Sequence, residues 1–226
     1  MLINAQLIAD QFAANGYFVV VPDLFHGDPM PLERPAGFDF FKWLKGEPGH
    51  FVDRVDPVIA DVVKALKGKE FGVQRLGAVG YCYGAKYVVR GLKEGGFLDV
   101  GFLAHPSFVE AEELRAITGP LSIAAAGMFL SGGAYWLRLW LGGRGLIWRV
   151  ADEMVYAETD TIFPAEKRHE SEVILKETKQ PYQINLYSHV EHGFAVRVDL
   201  SKKENKFAKE QAFYQAVQWF DEYLKQ

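Results

Sequence analysis

The stretch AVGYCYGAKYVV, residues 78–89, decides the fold, because it joins an apolar strand-like run to a helix-like run around the one cysteine of the chain. The cysteine stands in the order Gly80-Tyr81-Cys82-Tyr83-Gly84. A strand turning sharply into a helix, with small residues on both sides of a nucleophilic side chain, is the pattern of a nucleophile elbow. Glycines there relieve crowding around a strained backbone. The turn would present Cys82 at a helix N-terminus, where the macrodipole and free N–H groups favour a thiolate, the reactive form. The alternative is a small buried thiol, since free cysteines are among the most buried residue types. The pentapeptide alone leaves both readings open.

Outward from this turn, strand and helix patterns alternate. Leu2, Ile3, Leu7, Ile8 and Phe12 recur at helical spacing, Asn15-Gly16 supplies a stop, and YFVVVP at 17–22 reads as a strand. PDLFHGDPMPLERPAGFD at 22–39 is a surface loop rich in Pro, Gly and Asp. DRVDPVIADVVKALKG at 53–68 is an amphipathic helix ended by Gly68. DVGFLAHP at 99–106 and GPLSIAAA at 119–126 are buried strands separated by the helical VEAEELRAI. A helix led by Pro164, a strand in YQINLYS at 182–188 and a long helix from Lys203 complete the series; Phe213, Trp219 and Phe220 mark that last helix's core face. The alternation predicts one domain over 1–226, a mainly parallel sheet with helices on both faces and ligands at the carboxyl ends of the strands.

Composition narrows the partners. With 25 Lys plus Arg against 29 Asp plus Glu, the net charge of -4 is too acidic for a nucleic-acid backbone binder. One cysteine forms no intramolecular disulfide, so a cytoplasmic location is expected. The opening residues lack a basic leader and a small-residue cleavage site, so no signal peptide is expected. The uncharged run 116–137 has the length of a membrane span, but Pro120 and several glycines interrupt it, and no span is expected. Residues 127–156 hold three of the five tryptophans, six glycines and no clean period, and read as an insertion. It is either a segment that a wrong gene model reads as protein or a lid whose Trp136, Trp140 and Trp148 form an apolar wall.

A cysteine nucleophile needs a base within hydrogen-bond reach and a group that orients the base. YSHVEHGFAVR at 187–197 places His192 in a loop after a strand, and AETDTIFP at 157–164 places Asp160 after the preceding one. The order nucleophile, acid, histidine is that of α/β-hydrolases. His189 is a rival base. Arg197 could bind a substrate carboxylate, and His105, at a strand end, could line the pocket. His26 with Asp23 and Asp28 only loosely resembles metal-ligand spacing, and no metal is assigned.

GYCYGAK, ETDTIFP and VEHGFAVR, together with AQLIADQFAANGYFVVVPDLFHGD and FLAHPSFV, resemble the dienelactone hydrolase family, especially its fungal members. The resemblance covers nearly the whole chain except 127–156. It implies an α/β-hydrolase fold and a Cys-Asp-His triad that opens lactones or cleaves small esters through an acyl-enzyme, without a cofactor. Carried over, Cys82 is the nucleophile, Asp160 the acid and His192 the base, and the Tyr83 N–H is one oxyanion donor. The family has further strands ahead of the helix that opens this chain, so the expected fold lacks its first strands. The rival functions are a catalytically inactive relative and a redox sensor built on Cys82.

Overall fold

The computed structural model describes residues 3–31, 35–127, 137–141, 144–148 and 160–225. In chain order the elements are α1 (Ile3–Ala14), α2 (Phe40–Lys45), α3 (Val52–Lys67), β1 (Gly77–Tyr81), α4 (Gly84–Gly91), β2 (Val100–Ala104), α5 (Ala111–Arg115) and β3 (Leu121–Ala126). Then come β4 (Leu137–Leu141), β5 (Arg144–Trp148), α6 (Ala165–Thr178), β6 (Tyr182–Tyr187) and α7 (Lys203–Tyr223).

Four strands in the order β1-β2-β3-β6 form one sheet, and every pair in it is parallel. The register sets Gly80 beside Leu103, Leu103 beside Ile123 and Ile123 beside Ile184. Every residue of β2 and β3 is buried, as a strand covered on both faces requires. Alternation divides their side chains between two cores. Val100, Phe102, Ala104, Ala124 and Ala126 face α1 and α7, where Phe12, Ala216, Trp219 and Phe220 close over them. Leu103, Leu121, Ile123 and Ala125 face α4, α5 and α6 through Val88, Val89, Leu114, Ile174 and Leu175. One polar tie crosses the first core: buried Gln215 of α7 donates to Ser122 Oγ at 2.9 Å and to the Ile123 carbonyl at 3.1 Å.

Several expectations shift. YFVVVP joins no sheet among the described residues: Tyr17 and Val19 pack on the first core while Phe18 turns outward and stacks on Phe71, ring centroids 5.7 Å apart. The alternation marked which side chains bury, but pairing needs a neighbouring strand, which alternation does not supply. On α1 only Ile8 and Phe12 bury, and Ile3 and Leu7 stay exposed. Pro164 caps α6 rather than opening it. The six-residue α2 was not legible, being fixed by the Asp39 carboxylate that accepts from Lys42 N at 3.0 Å and by aromatic packing. Within 127–156, β4 and β5 pair antiparallel with each other. The rest of that segment, with the choice between lid and gene-model error and the side chains of Trp136, Trp140 and Trp148, lies outside the described residues.

No helix among the described residues is long and apolar enough to cross a membrane. Nor do the described residues bring three His, Cys, Asp or Glu side chains together as a metal site would. Asp23 instead accepts from the N–H groups of Phe25 and Gly27, and Asp28 meets His50 at 2.8 Å.

Candidate active site

β1 ends one residue before Cys82, whose N–H continues the ladder to the Ala104 carbonyl at 3.1 Å. There the backbone turns into the left-handed region, with φ of +50° at Cys82. Close approach of β1 to α4 forces that turn. A Cβ on Gly80 would stand 2.6 Å from the Ala85 Cα, so only glycine fits, whereas a Cβ on Gly84 would meet nothing within 4 Å. The expectation that both glycines relieve crowding therefore holds for Gly80 alone. The Cys82 carbonyl accepts from Ala85 N at 3.1 Å and from Ser107 N at 3.0 Å, which locks the elbow to the loop after β2.

The loop between β6 and α7 carries His192, and the loop leading into α6 carries Asp160. His192 Nε2 lies 3.1 Å from Cys82 Sγ, and Nδ1 lies 3.0 Å from both Asp160 oxygens. Asp160 is buried, and its Oδ1 also accepts from the N–H groups of Ile162 and Phe163 at 3.0 and 2.9 Å. His189, the rival base, is exposed with φ of +62°.

Burial works against the Cys82 thiolate, but hydrogen bonds with His192 and Ser107, the His192 charge and the Tyr83 N–H outweigh it and hold the thiol below its ordinary value. Burial likewise opposes a charged His192, yet its bonds to Asp160 and Cys82 raise it to about 9. Asp160 is desolvated as well, and the bonds from His192 and the Phe163 N–H hold its carboxyl below the usual range. All three shifts favour a thiolate–imidazolium pair backed by a carboxylate. The start of α4 adds its dipole to the same charge.

Around this line stand the other named residues. Tyr83 is the N-cap of α4; its N–H reaches the sulfur, its hydroxyl donates to the His50 carbonyl, and the Tyr87 hydroxyl lies 2.7 Å away. His105 is 1% exposed, and neither ring nitrogen has a hydrogen-bond partner among the described residues. Burial, then the His192 charge, push it down to about 3, so it stands as a neutral ring packed edge-on against His192, centroids 5.0 Å apart. Arg197 is exposed, with its Nε 3.5 Å from where a Cβ on Gly193 would stand. No described hydrogen bond or ion pair joins it to Cys82, Asp160 or His192.

Ser107 escaped sequence reading. Its hydroxyl lies 3.3 Å from Cys82 Sγ and 3.4 Å from His192 Nε2. Its position two residues beyond His105, in the FLAHPSFV motif, was the available signal. An aromatic group flanks the elbow as well: the Tyr83 ring lies 5.5 Å from Phe25 and 6.5 Å from Phe108, and Phe40 stacks on Phe108 at 6.5 Å. Lys86, buried on α4, fixes the same loop by donating to the Phe108 carbonyl at 3.0 Å while paired with Glu113 at 2.9 Å.

The model of the dienelactone hydrolase family matches residues 2–128 and 153–224. Hydrolase pyvD of Aspergillus violaceofuscus is 48% identical over 99% of this chain and 77% of its own length. Hydrolase tropI of Talaromyces stipitatus is 46% identical over the same shares, 99% and 77%. Dienlactone hydrolase 1 of Gibberella moniliformis is 29% identical over 98% of this chain and 74% of its own. Among solved structures, a candidate dienelactone hydrolase from Klebsiella pneumoniae superposes with a TM-score of 0.67 at 14% identity, over 97% of this chain and 81% of that one. That likeness shows the α/β-hydrolase fold. With the family model matching most of the sequence and two relatives close to half identical, the chain belongs to the dienelactone hydrolase family and is a hydrolase of that type.

Proposed function

We propose that this chain hydrolyses small esters or lactones, with Cys82 as nucleophile, His192 as general base and acid, and Asp160 as the group that orients His192. The observation that carries the reading is the unbroken line from Cys82 Sγ to His192 Nε2 at 3.1 Å and from His192 Nδ1 to Asp160 at 3.0 Å. In this mechanism the thiolate attacks the carbonyl carbon, an S–C bond forms, and the acyl C–O bond breaks as the His192 imidazolium gives its proton to the leaving oxygen. Water then attacks the thioester while neutral His192 takes its proton. The C–S bond breaks, the carboxylic acid leaves, and the thiolate–imidazolium pair is restored. The Tyr83 N–H is one donor to the oxyanion of both tetrahedral intermediates. Exposed Arg197 is a candidate partner for a substrate carboxylate at the rim, and His105 supports the His192 ring from the apolar side.

The test is hydrolysis of a chromogenic acetate ester and a panel of five- and six-membered lactones. Cys82→Ala and His192→Ala are each expected to lower kcat/KM by about 10² to 10⁴-fold with unchanged circular dichroism. A His192→Ala protein that keeps its hydrolysis would overturn the triad reading. Retained peroxide sensitivity in a wild-type protein without hydrolysis would point to redox sensing instead.

A further inference from the structure

Cys82 Sγ, His192 Nε2 and Ser107 Oγ form a closed triangle with sides of 3.1, 3.3 and 3.4 Å. A protonated His192 has one hydrogen on Nε2, and it points to the nearer atom, the sulfur. That nitrogen then accepts nothing, so the acceptor left in this triangle for the Ser107 hydroxyl hydrogen is the sulfur. Ser107 is 2% exposed, and its place is fixed by backbone rather than by the hydroxyl. Its N–H holds the Cys82 carbonyl, and the residues near it, His105 and Phe108, both bend through positive φ, at +40° and +60°. The Phe108 carbonyl is clamped by Lys86. Non-glycine residues in that region persist only where the surroundings over-determine them.

We infer that Ser107 is a third hydrogen-bond donor to the Cys82 sulfur, beside His192 and the Tyr83 N–H, one that holds the resting nucleophile as a thiolate and aims it, and lets go when the sulfur becomes acylated. The inference rests on the reading of Cys82 as nucleophile. A hydrogen bond to a charged acceptor is worth more than one to the neutral thioester that replaces it, so the donor acts on the resting and leaving states of the sulfur. The groups that set the charge balance at the sulfur are His192, Asp160 behind it, the neutral His105 ring against His192, Arg197 acting on His105, and the Tyr83 N–H.

The experiment is the pH profile of iodoacetamide alkylation, unambiguous because Cys82 is the only cysteine. Ser107→Ala removes the hydroxyl and keeps the backbone N–H. Its alkylation midpoint is expected to rise by about one pH unit, with about tenfold slower labelling near pH 6. Ser107→Thr should keep the wild-type midpoint. If Ser107→Ala does not fold, Ser107→Thr is compared with Ser107→Val, which has the same shape without the hydroxyl, and only Val should shift. An unshifted midpoint in Ala or Val, alongside a raised midpoint in His192→Ala, overturns the inference and leaves the triad reading standing. An unshifted midpoint in His192→Ala as well sinks the triad reading, and the inference with it.

Discussion

At the residue scale, the site's charges leave a signature in stability. His192 is raised from 6.5 to about 9, so its contribution is fully present below pH 6.5 and is lost as pH rises toward 9. Cys82 is lowered from 9.0, so its contribution is fully present above pH 9.0 and is lost as pH falls toward its folded value. Between the folded thiol value and pH 9 the two slopes oppose each other. Wild-type stability should therefore change less with pH in that overlap than His192 alone would make it. Cys82→Ala removes the thiol's slope and leaves His192 held up by Asp160 alone, so it should lose stability as pH rises above 6.5. Thermal unfolding of both proteins between pH 6.5 and 9 checks this; parallel curves would mean that folding does not lower the thiol. Of these residues, Cys82, Asp160 and His192 were legible because their motifs follow strands in hydrolase order. Ser107 was not, since a serine two residues past a strand acquires its contact with the sulfur only once two distant loops meet.

At the scale of elements, the junction of β1 and α4 shows which glycine the elbow requires. Gly80→Ala would set a methyl 2.6 Å from the Ala85 Cα, backbone against backbone, with no side chain able to move aside. A cost of about 1 to 3 kcal/mol follows, read as a lower thermal midpoint. Gly84→Ala meets open space at the first turn of α4. It should be neutral or stabilise by up to about 1 kcal/mol. Equal effects in the two variants would contradict the packing of the elbow. Strands and long helices were legible because their apolar periods match the faces they bury. Short α2 and the unpaired Tyr17–Val21 stretch were not, because an aspartate cap plus aromatic neighbours decide the first and a partner strand decides the second.

At the scale of the molecule, the parallel sheet gathers three loops, from residues 82, 160 and 192, onto one end of the strands. The sequence announced this arrangement through the alternation of strand and helix, since parallel strands place their following loops on a shared edge. It did not announce how the segment after β3 is accommodated. The family match passes from residue 128 to residue 153, so residues between them are expected to be dispensable for folding. A chain lacking 127–156 would read GPLSIAAAAETDTIFP from β3 straight to Asp160. We expect that variant to be soluble, to unfold cooperatively and to keep fast alkylation of Cys82 near pH 6. Aggregation, or labelling as slow as in denaturant, would show that the segment is needed.

The left-handed backbone at Cys82 carries a consequence for copies of the protein that are not fully assembled. An L-residue in that conformation costs about 1 to 2 kcal/mol, which only the closed junction of strand and helix offsets. A copy in which that junction is open has no such constraint at this residue, and once the sulfur leaves His192 it returns to an ordinary, mostly protonated thiol. Chemical reactivity is thus conditional on completed folding. An unfinished chain presents electrophiles and oxidants with a quiet cysteine, and the sulfur becomes open to them only once its partners are in place.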